Sequence, residues 1–339
     1  MTEILDFNKM GINTQTAKRK IKFYQGTKAR RIFHYTSIGG LKGILESATL
    51  RFTNINYLND KDEIKAGMDS LAKTIAATDE EKEKIFSSIR NRGMQTFVCC
   101  FSLDEDSLPM WNYYTKEINN QGYNIEFNDK SLVESIILEN PELAGCELSF
   151  GVVEYCKDND SKYSKSFSDG LTSSFSLAMM KLLFAFAKDY LKDDPEKIKK
   201  WESEIALLEN DKNENDISVY SYNGQLGKFQ KDTSGNYLCF VKRDCFLPEK
   251  ELRIVINVPE WKLAELKQLN LYKYRISNGL LVPYLELNFS YSAIQGLTVS
   301  PTIQSDLAEQ SIRDFLQYCN FSIKSPLDFI KKSKIPVRF

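Results

Sequence analysis

Strand-like segments lie near both ends of this 339-residue chain, and helical segments lie between them. This order constrains the fold more than any other feature of the sequence. The early strand signals are "RRIFHYT", "LRFTNI" and "MQTFVCCFS", and the late ones are "NYLCFVKR", "ELRIVINV", "LVPYLELNFS" and "AIQGLTVS". They are short apolar runs rich in β-branched and aromatic residues. The arrangement predicts an α+β fold with a mixed sheet and inserted helices.

Several helices can be predicted between these strands. Ser37 is placed to cap a short helix over "IGGLKGILES", and "LPMWNYYTKE" predicts a turn followed by a short helix. Further helices are predicted near 130–138 and over 302–318. The apolar segment "SFSLAMMKLLFAFAKDYL" is interrupted and too short for a membrane span, so it is typical of a core helix. The polar, glycine-containing stretch 212–235 predicts a loop.

The overall composition sets limits on the class of protein. The formal net charge is −1, which gives no global attraction to nucleic acid or membranes. The first residues lack the order of a secretory signal. Seven cysteines occur without a C-x-x-C pair, and the chain has one histidine, so we expect reduced, mostly buried thiols, no metal and a cytoplasmic protein.

Charge is uneven along the chain. Between Asp6 and Glu46 there is no acidic residue, whereas nine lysines and arginines lie between Lys9 and Lys42. Two interpretations stay open for this 9–42 region. It is either a solvated basic edge or a surface that contacts phosphates or nucleic acid.

Phosphate-binding and nucleophile motifs are absent: there is no P-loop, no G-x-G-x-x-G after a strand and no G-x-S-x-G. Instead, four groups of polar or aromatic residues lie at the ends of predicted strands. They are His34-Tyr35-Thr36, Asn59-Asp60 to Glu63, Ser102 with Trp111 and Tyr114, and Glu249 to Arg253. Each group also has a purely structural alternative. In the same order, these are a hydrogen-bonded strand histidine, a turn with a helix cap, an aromatic core plug and an exposed strand face.

In this order, "FHYTSIGGLKGIL", "NYLNDKDE", "CFSLDEDSLPMWNYYTKEINNQGYNIEF", "FVKRDCFLPEKELRIVI", "AIQGLTVSP" and "SKIPVRF" resemble a bacterial family known only as domain of unknown function 2971. The resemblance spans roughly 32–339 and leaves out 161–235. It implies a basic arm over 1–31 and one domain over 32–339, with a helical insertion near 165–235. The family's architecture is similar to that of the ADP-ribosyltransferases, which implies a split sheet core.

The resemblance implies NAD as the co-substrate and catalytic roles for His34, Tyr114 and Glu251. The chain departs from the branch with an Arg-Ser-Glu pattern, since His34 stands where that branch has arginine. A carboxylate can stabilise the oxocarbenium-like ribose formed as nicotinamide leaves. The implied cofactor-binding residues are Tyr35, Thr36, Ser37, Asn59, Asp60, Ser102, Trp111, Tyr113, Lys242, Glu249 and Arg253, with Lys242 or Arg253 at the pyrophosphate.

The sequence therefore predicts an enzyme that transfers ADP-ribose to a macromolecule, protein or nucleic acid. A toxin or phage-defence role is suggested by fold analogy alone. The alternatives are an NAD glycohydrolase and a non-catalytic nucleotide- or nucleic-acid-binding module. If the enzyme hypothesis holds, His34, Glu251 and one of Trp111, Tyr113 or Tyr114 should line one pocket. Positions of His34 and Glu251 on opposite faces of the sheet would end the enzyme hypothesis.

Overall fold

The computed structural model describes residues 29–58, 93–115, 121–156, 219–223, 228–231, 239–321 and 329–336, and isolated positions elsewhere. The first strands are β1 Arg31–Ser37, β2 Thr49–Asn54, β3 Met94–Ser102, β4 Gly122–Asn128, β5 Glu147–Val152, β6 Glu154–Cys156, β7 Val219–Asn223 and β8 Lys228–Lys231. The later ones are β9 Val241–Arg243, β10 Glu251–Pro259, β11 Tyr272–Ser277, β12 Leu280–Asn288, β13 Ile294–Val299 and β14 Ile330–Lys332. The helices are α1 Ile38–Ser47, α2 Leu108–Tyr114, α3 Asp129–Glu139, α4 Glu260–Gln268 and α5 Leu307–Tyr318.

Twelve of these strands form one sheet. Its main order is β14-β13-β4-β1-β3-β10-β5-β7-β8, and β2, β12 and β11 branch from β3. Its strand pairs are antiparallel except β13 with β14, whereas β6 and β9 form a separate parallel pair. The predicted α+β class with a mixed sheet is confirmed.

The main hydrophobic core lies on one face of the sheet. Alternate residues of the central strands, such as Ile32, Phe101 and Ile254, pack there against helix residues such as Leu45 and Ile136. All of β10 is buried, which explains why "ELRIVINVP" shows little polar alternation. A second, smaller cluster on the other face packs α2 against β1. This second face positions the candidate site.

The segment 212–235 was predicted to be a loop, and this prediction is wrong. Strands β7 and β8 lie within it and extend the sheet beyond β5. The pairing of β7 with β5 and of β8 with β7 outweighs the polar composition that predicted a loop. The predicted insertion near 165–235 is therefore not entirely helical. The apolar core helix predicted within it lies outside the described residues.

The strand predicted over "NYLCFVKR" is shorter than expected. Of its described residues, Cys239 and Phe240 form a 3₁₀ turn and Val241–Arg243 is extended, and a 3₁₀ helix over Asp244–Glu249 follows. Helix α4 and strand β11 were missed by the sequence analysis. The predicted arm over 1–31 includes the first residue of β1, and residues 1–28 lie outside the described part of the chain. No helix among the described residues combines the length and hydrophobicity needed to cross a membrane.

Candidate functional site

The sheet splits along one edge of β3. One edge pairs with β10 over its whole length, from Met94 to Ser102. The other edge pairs with β2 at Phe97 and Val98 and with β1 at Ser102. Between these contacts β1 and β2 diverge. The middle of β3 is therefore open on this side, and a cavity lies at the opening.

His34 is positioned at this split. Its Nδ1 lies 3.2 Å from the Cys100 carbonyl oxygen in the open part of β3. Because a carbonyl only accepts hydrogen bonds, Nδ1 carries the proton. Burial lowers the pKa of His34 more than this hydrogen bond raises it, so the ring is neutral near pH 7. Its Nε2 is then an unprotonated acceptor.

The pleat of the sheet separates His34 from Glu251. Ser102 pairs with both Phe33 and Glu251, and paired residues point to the same face. Because side chains alternate along a strand, His34 belongs to the opposite face, beside Phe101 of the main core. The two residues therefore lie on opposite faces of the sheet, which is the arrangement that was expected to end the enzyme hypothesis. His34 and Glu251 nevertheless line one cavity, because the cavity lies where the sheet is split.

A buried group of four charged side chains forms the wall of the cavity beside β10. Lys242 Nζ donates to Glu249 Oε2 at 2.7 Å and to Glu251 Oε2 at 3.1 Å. Arg253 donates through Nε to Glu251 Oε1 at 2.8 Å and through a terminal nitrogen to Oε2 at 3.0 Å. We call Lys242, Glu249, Glu251 and Arg253 the charge cluster. Its two carboxylates balance its two cations, as burial requires.

Glu251 is ionised within this cluster. Burial by itself would raise its pKa, but Arg253 and Lys242 outweigh that effect and lower the pKa to about 2. The sequence left open an exposed strand face for "EKELR", and this alternative is wrong. Glu251 and Arg253 do share one face of β10, yet both are buried, and Glu249 ends the 3₁₀ helix before the strand.

Two further groups surround the cluster. The hydroxyl of Tyr114, at the end of α2, donates to Glu249 Oε1 at 3.3 Å. Burial raises the pKa of Tyr114, and the neighbouring carboxylates of Glu249 and Glu251 raise it further. The Cys100 thiol hydrogen bonds to Glu251, and burial together with that charge raises its pKa well above the ordinary value. Tyr114 is therefore a neutral phenol and Cys100 an inert thiol.

The cavity has a volume of about 220 Å³. Of the predicted catalytic residues, His34, Tyr114 and Glu251 all line it. The predicted convergence of His34, Glu251 and a tyrosine in one pocket is thus confirmed. Other predicted residues that line the cavity are Tyr35, Ser102, Lys242, Glu249 and Arg253.

Two of these lining hydroxyls are already engaged. Ser102 Oγ donates to the Glu249 carbonyl at 2.8 Å and accepts from the Asp104 backbone. Tyr35 donates to the Asp104 carbonyl at 2.7 Å and accepts from Ser107 N. Both hydroxyls therefore hold the loop between β3 and α2, and neither can donate to a ligand without breaking one of these bonds.

Other predicted residues lie away from the cavity. Trp111 is buried against Tyr35 and donates to Asp106 Oδ1, which corresponds to the aromatic core plug rather than to a cofactor-binding residue. Ser37 caps α1 by accepting from Gly40 N, and Thr36 packs beside the same turn. Tyr113 is 57% exposed on the outer side of α2. Asn59 and Asp60 lie outside the described residues.

Two arginines that were not predicted from the sequence, Arg51 and Arg275, also line the cavity. Arg51 stands on β2 between buried residues, in "TLRFTN". Its alternation with apolar neighbours was visible in the sequence, but nothing linked it to Arg275, which lies on a strand that was not predicted. The sequence pattern was therefore not enough to predict that the two arginines share a cavity.

Two of the three cations in the described part of the basic 9–42 region have acidic partners. Arg31 contacts Glu126 at 2.6 Å and Glu105 at 2.9 Å, and Lys42 pairs with Glu46. For these two residues the interpretation as a phosphate-contacting surface loses support, because their charges are balanced. Residues 9–28 lie outside the described part of the chain.

Comparisons with family models, with curated proteins and with solved structures gave no match. The resemblance to the family of unknown function therefore stays a prediction. Among the described residues, no group of three or more histidine, cysteine, aspartate or glutamate side chains is placed to hold a metal ion.

Proposed function

We propose that this chain is an enzyme that cleaves the N-glycosidic bond of NAD, with transfer of ADP-ribose to a macromolecule as its reaction. The observation that carries the proposal is Glu251, an ionised carboxylate in the wall of a cavity that Tyr114 and His34 also line. Loss of nicotinamide leaves positive charge on the ribose. A carboxylate that stays ionised in a water-poor site stabilises that charge.

The hydrogen bonds of Glu251 define how a substrate has to bind. Arg253 donates twice, Lys242 once, and the Cys100 thiol fills a further acceptor site. A carboxylate has about four such sites. A ribose hydroxyl would therefore replace the thiol, which is the weakest of these donors. Arg253 and Lys242 would stay in place and keep the carboxylate ionised.

His34 supports this proposal less than Glu251 does. Its position on the face of the sheet opposite to Glu251 counts against direct contact with the same side of the ribose as Glu251. Its neutral ring can still accept a hydrogen bond at Nε2 from a ligand group that reaches the split. In the proposed enzyme His34 therefore positions the ligand, and Glu251 and Tyr114 contact the reacting ribose.

The cavity also limits how NAD could bind. Its volume of about 220 Å³ lies below the roughly 300–1,000 Å³ of most small-molecule sites. It suits the nicotinamide and its ribose, and the adenosine half would extend beyond it. A macromolecular acceptor would then approach the open side.

A second candidate function is nucleotide binding without turnover. The filled acceptor sites of Glu251 favour it, because a carboxylate saturated by protein donors is also what a purely structural ion cluster requires. NAD hydrolysis, with water as the acceptor, is a variant of the first candidate and needs the same carboxylate.

The test is nicotinamide release from NAD by the purified chain, with Glu251→Gln and Glu249→Gln compared side by side. Glu251→Gln removes the negative charge and should lower the rate about a hundredfold or more. Glu249→Gln breaks an ion pair with the same Lys242, so it is the matched control for damage to the charge cluster, and its effect should be smaller.

Both variants also need a stability measurement. Removing one partner of a buried ion pair costs about 3–5 kcal/mol, so chemical denaturation must show that each variant is folded during the assay. Labelled NAD incubated with the purified chain and a cell lysate then distinguishes transfer from hydrolysis, because only transfer attaches the label to a macromolecule. Equal rates in wild type and folded Glu251→Gln would refute the proposed catalytic role. Binding of NAD with no release of nicotinamide would establish the second candidate.

A further inference from the structure

Two arginines face the cavity from strands on either side of β12. Arg51 of β2 pairs with Glu286, and Arg275 of β11 pairs with Val282. Glu286 and Val282 are four residues apart on β12, so both arginines lie on one face of the sheet. Both line the cavity, and the Arg51 guanidinium stacks on the Tyr284 ring at 5.2 Å.

Acidic partners balance these two arginines only in part, because Arg51 shares one carboxylate with a lysine and Arg275 has none among the described residues. Glu286, which faces them from β12, forms an ion pair with Lys273, and Arg51 Nε is 3.8 Å from it. Arg275 has no ion pair or hydrogen bond with any described residue, and its Nε is buried without an acceptor. Burial lowers the pKa of Arg275, and repulsion from Arg51 lowers it further, although a guanidinium stays charged.

The cations that were predicted to bind a pyrophosphate differ from these two arginines, because they already have acidic partners. Arg253 and Lys242 are both engaged by the carboxylates of the charge cluster. A ligand phosphate there would have to compete with Glu251 for Arg253, and it would meet the negative charge of both carboxylates. An anion is therefore better accommodated at Arg51 and Arg275.

We propose that Arg51 and Arg275 form a subsite for a phosphoryl group of the ligand that occupies this cavity. The unpaired, half-buried guanidinium of Arg275 is costly, and an anion that accepts its hydrogen bonds removes that cost, while the exposed Arg51 adds a second donor group beside it. Guanidinium groups match phosphate oxygens in geometry and charge. This subsite deepens the proposed function and rests on it for the ligand class, a nucleoside diphosphate. Inorganic phosphate offers the same chemistry.

The experiment measures the binding of ADP, adenosine and inorganic pyrophosphate by calorimetry to the full chain. The variants are Arg51→Gln and Arg275→Gln, and Lys332→Gln on β14 is a charge-matched control away from the cavity. Each arginine variant should weaken ADP binding about tenfold or more, since a hydrogen bond to a charged group is lost. Adenosine binding should not change, and Lys332→Gln should bind all three ligands like the wild type.

Stability distinguishes a ligand subsite from a structural role. Arg275→Gln removes an unpaired, repelled charge, so the melting temperature of this variant without ligand should equal or exceed that of the wild type. If Arg275 had a structural role, its replacement would lower the melting temperature.

Pyrophosphate binding that matches ADP binding would identify a free-phosphate site, and tighter ADP binding would identify the nucleotide. The subsite is refuted if neither ligand binds at millimolar concentration, or if both arginine variants bind ADP normally. Absence of nicotinamide release with arginine-dependent ADP binding would refute the NAD-cleaving function and leave the subsite standing.

Discussion

At the scale of single residues, the unique histidine has a defined protonation state. His34 donates through Nδ1 to the Cys100 carbonyl and is neutral in the folded protein, since burial lowers its pKa. Below the ordinary histidine pKa of about 6.5 the unfolded chain takes up a proton that the folded chain resists. The linked free energy of unfolding is therefore fully present above that pH and decreases as the pH falls below it.

This linkage predicts a decrease in the free energy of unfolding between about pH 7.5 and pH 5.5. Because His34 is the one histidine of the chain, His34→Gln should remove most of that slope. Urea denaturation of both proteins at several pH values measures it. The same slope in wild type and variant would mean that another group titrates there.

How much of the site was predictable also depends on single residues. His34, Tyr114 and Glu251 stood out as polar or aromatic residues in or beside apolar segments, and their catalytic roles were implied by the resemblance to a known family. The assignment of Trp111, Ser37 and Thr36 to a ligand was not supported, since a buried tryptophan, a helix cap and a helix turn have the same local sequence signals as binding residues. The pleat position of His34 could not be predicted either, because it depends on its register against β3.

At the scale of elements, the strands and helices with strong local signals were predicted, and those that depend on distant partners were not. β3 and β10 are nearly continuous apolar runs, and α1 begins at the predicted cap Ser37. Strands β7 and β8 are short, and they are strands because they extend the sheet at β5. Their local composition favours a loop.

The cap of α1 gives a prediction at this scale. Ser37 Oγ accepts from Gly40 N at 3.2 Å, and Ser37 lies outside the cavity. Ser37→Ala should lower the free energy of unfolding by about 1 kcal/mol, and Ser37→Thr, which keeps an acceptor oxygen, should lower it less. Ligand binding should be the same in all three proteins. A loss of ADP or NAD affinity in folded Ser37→Ala would restore the predicted role of Ser37 in binding.

At the scale of the whole molecule, the sheet is continuous through β3 and β10 but split between β1 and β2. The split makes a cavity without a separate domain. It brings together residues from β1, α2 and β10, up to 217 positions apart from His34 to Glu251. Composition and local pattern predicted the α+β class, but the split arises from pairings between strands far apart in sequence.

The charge cluster joins β9, the 3₁₀ helix and β10, so its titration should act on global stability. The folded pKa of Glu251 is about 2, well below the ordinary value of 4.5, and its ionised form is therefore stabilised by folding. That contribution is present above about pH 4.5 and is lost as the pH falls toward 2. A shift of this size corresponds to about 3 kcal/mol.

We expect the free energy of unfolding to decrease by about this amount between pH 5 and pH 2 because of Glu251, beyond the decrease caused by other carboxylates. Glu251→Gln, less stable at neutral pH, should show a correspondingly smaller decrease over this range, and Glu46→Gln on exposed α1 is the control that should keep it. Urea denaturation across the range tests this, and parallel curves for wild type and Glu251→Gln would show that the cluster does not hold Glu251 ionised.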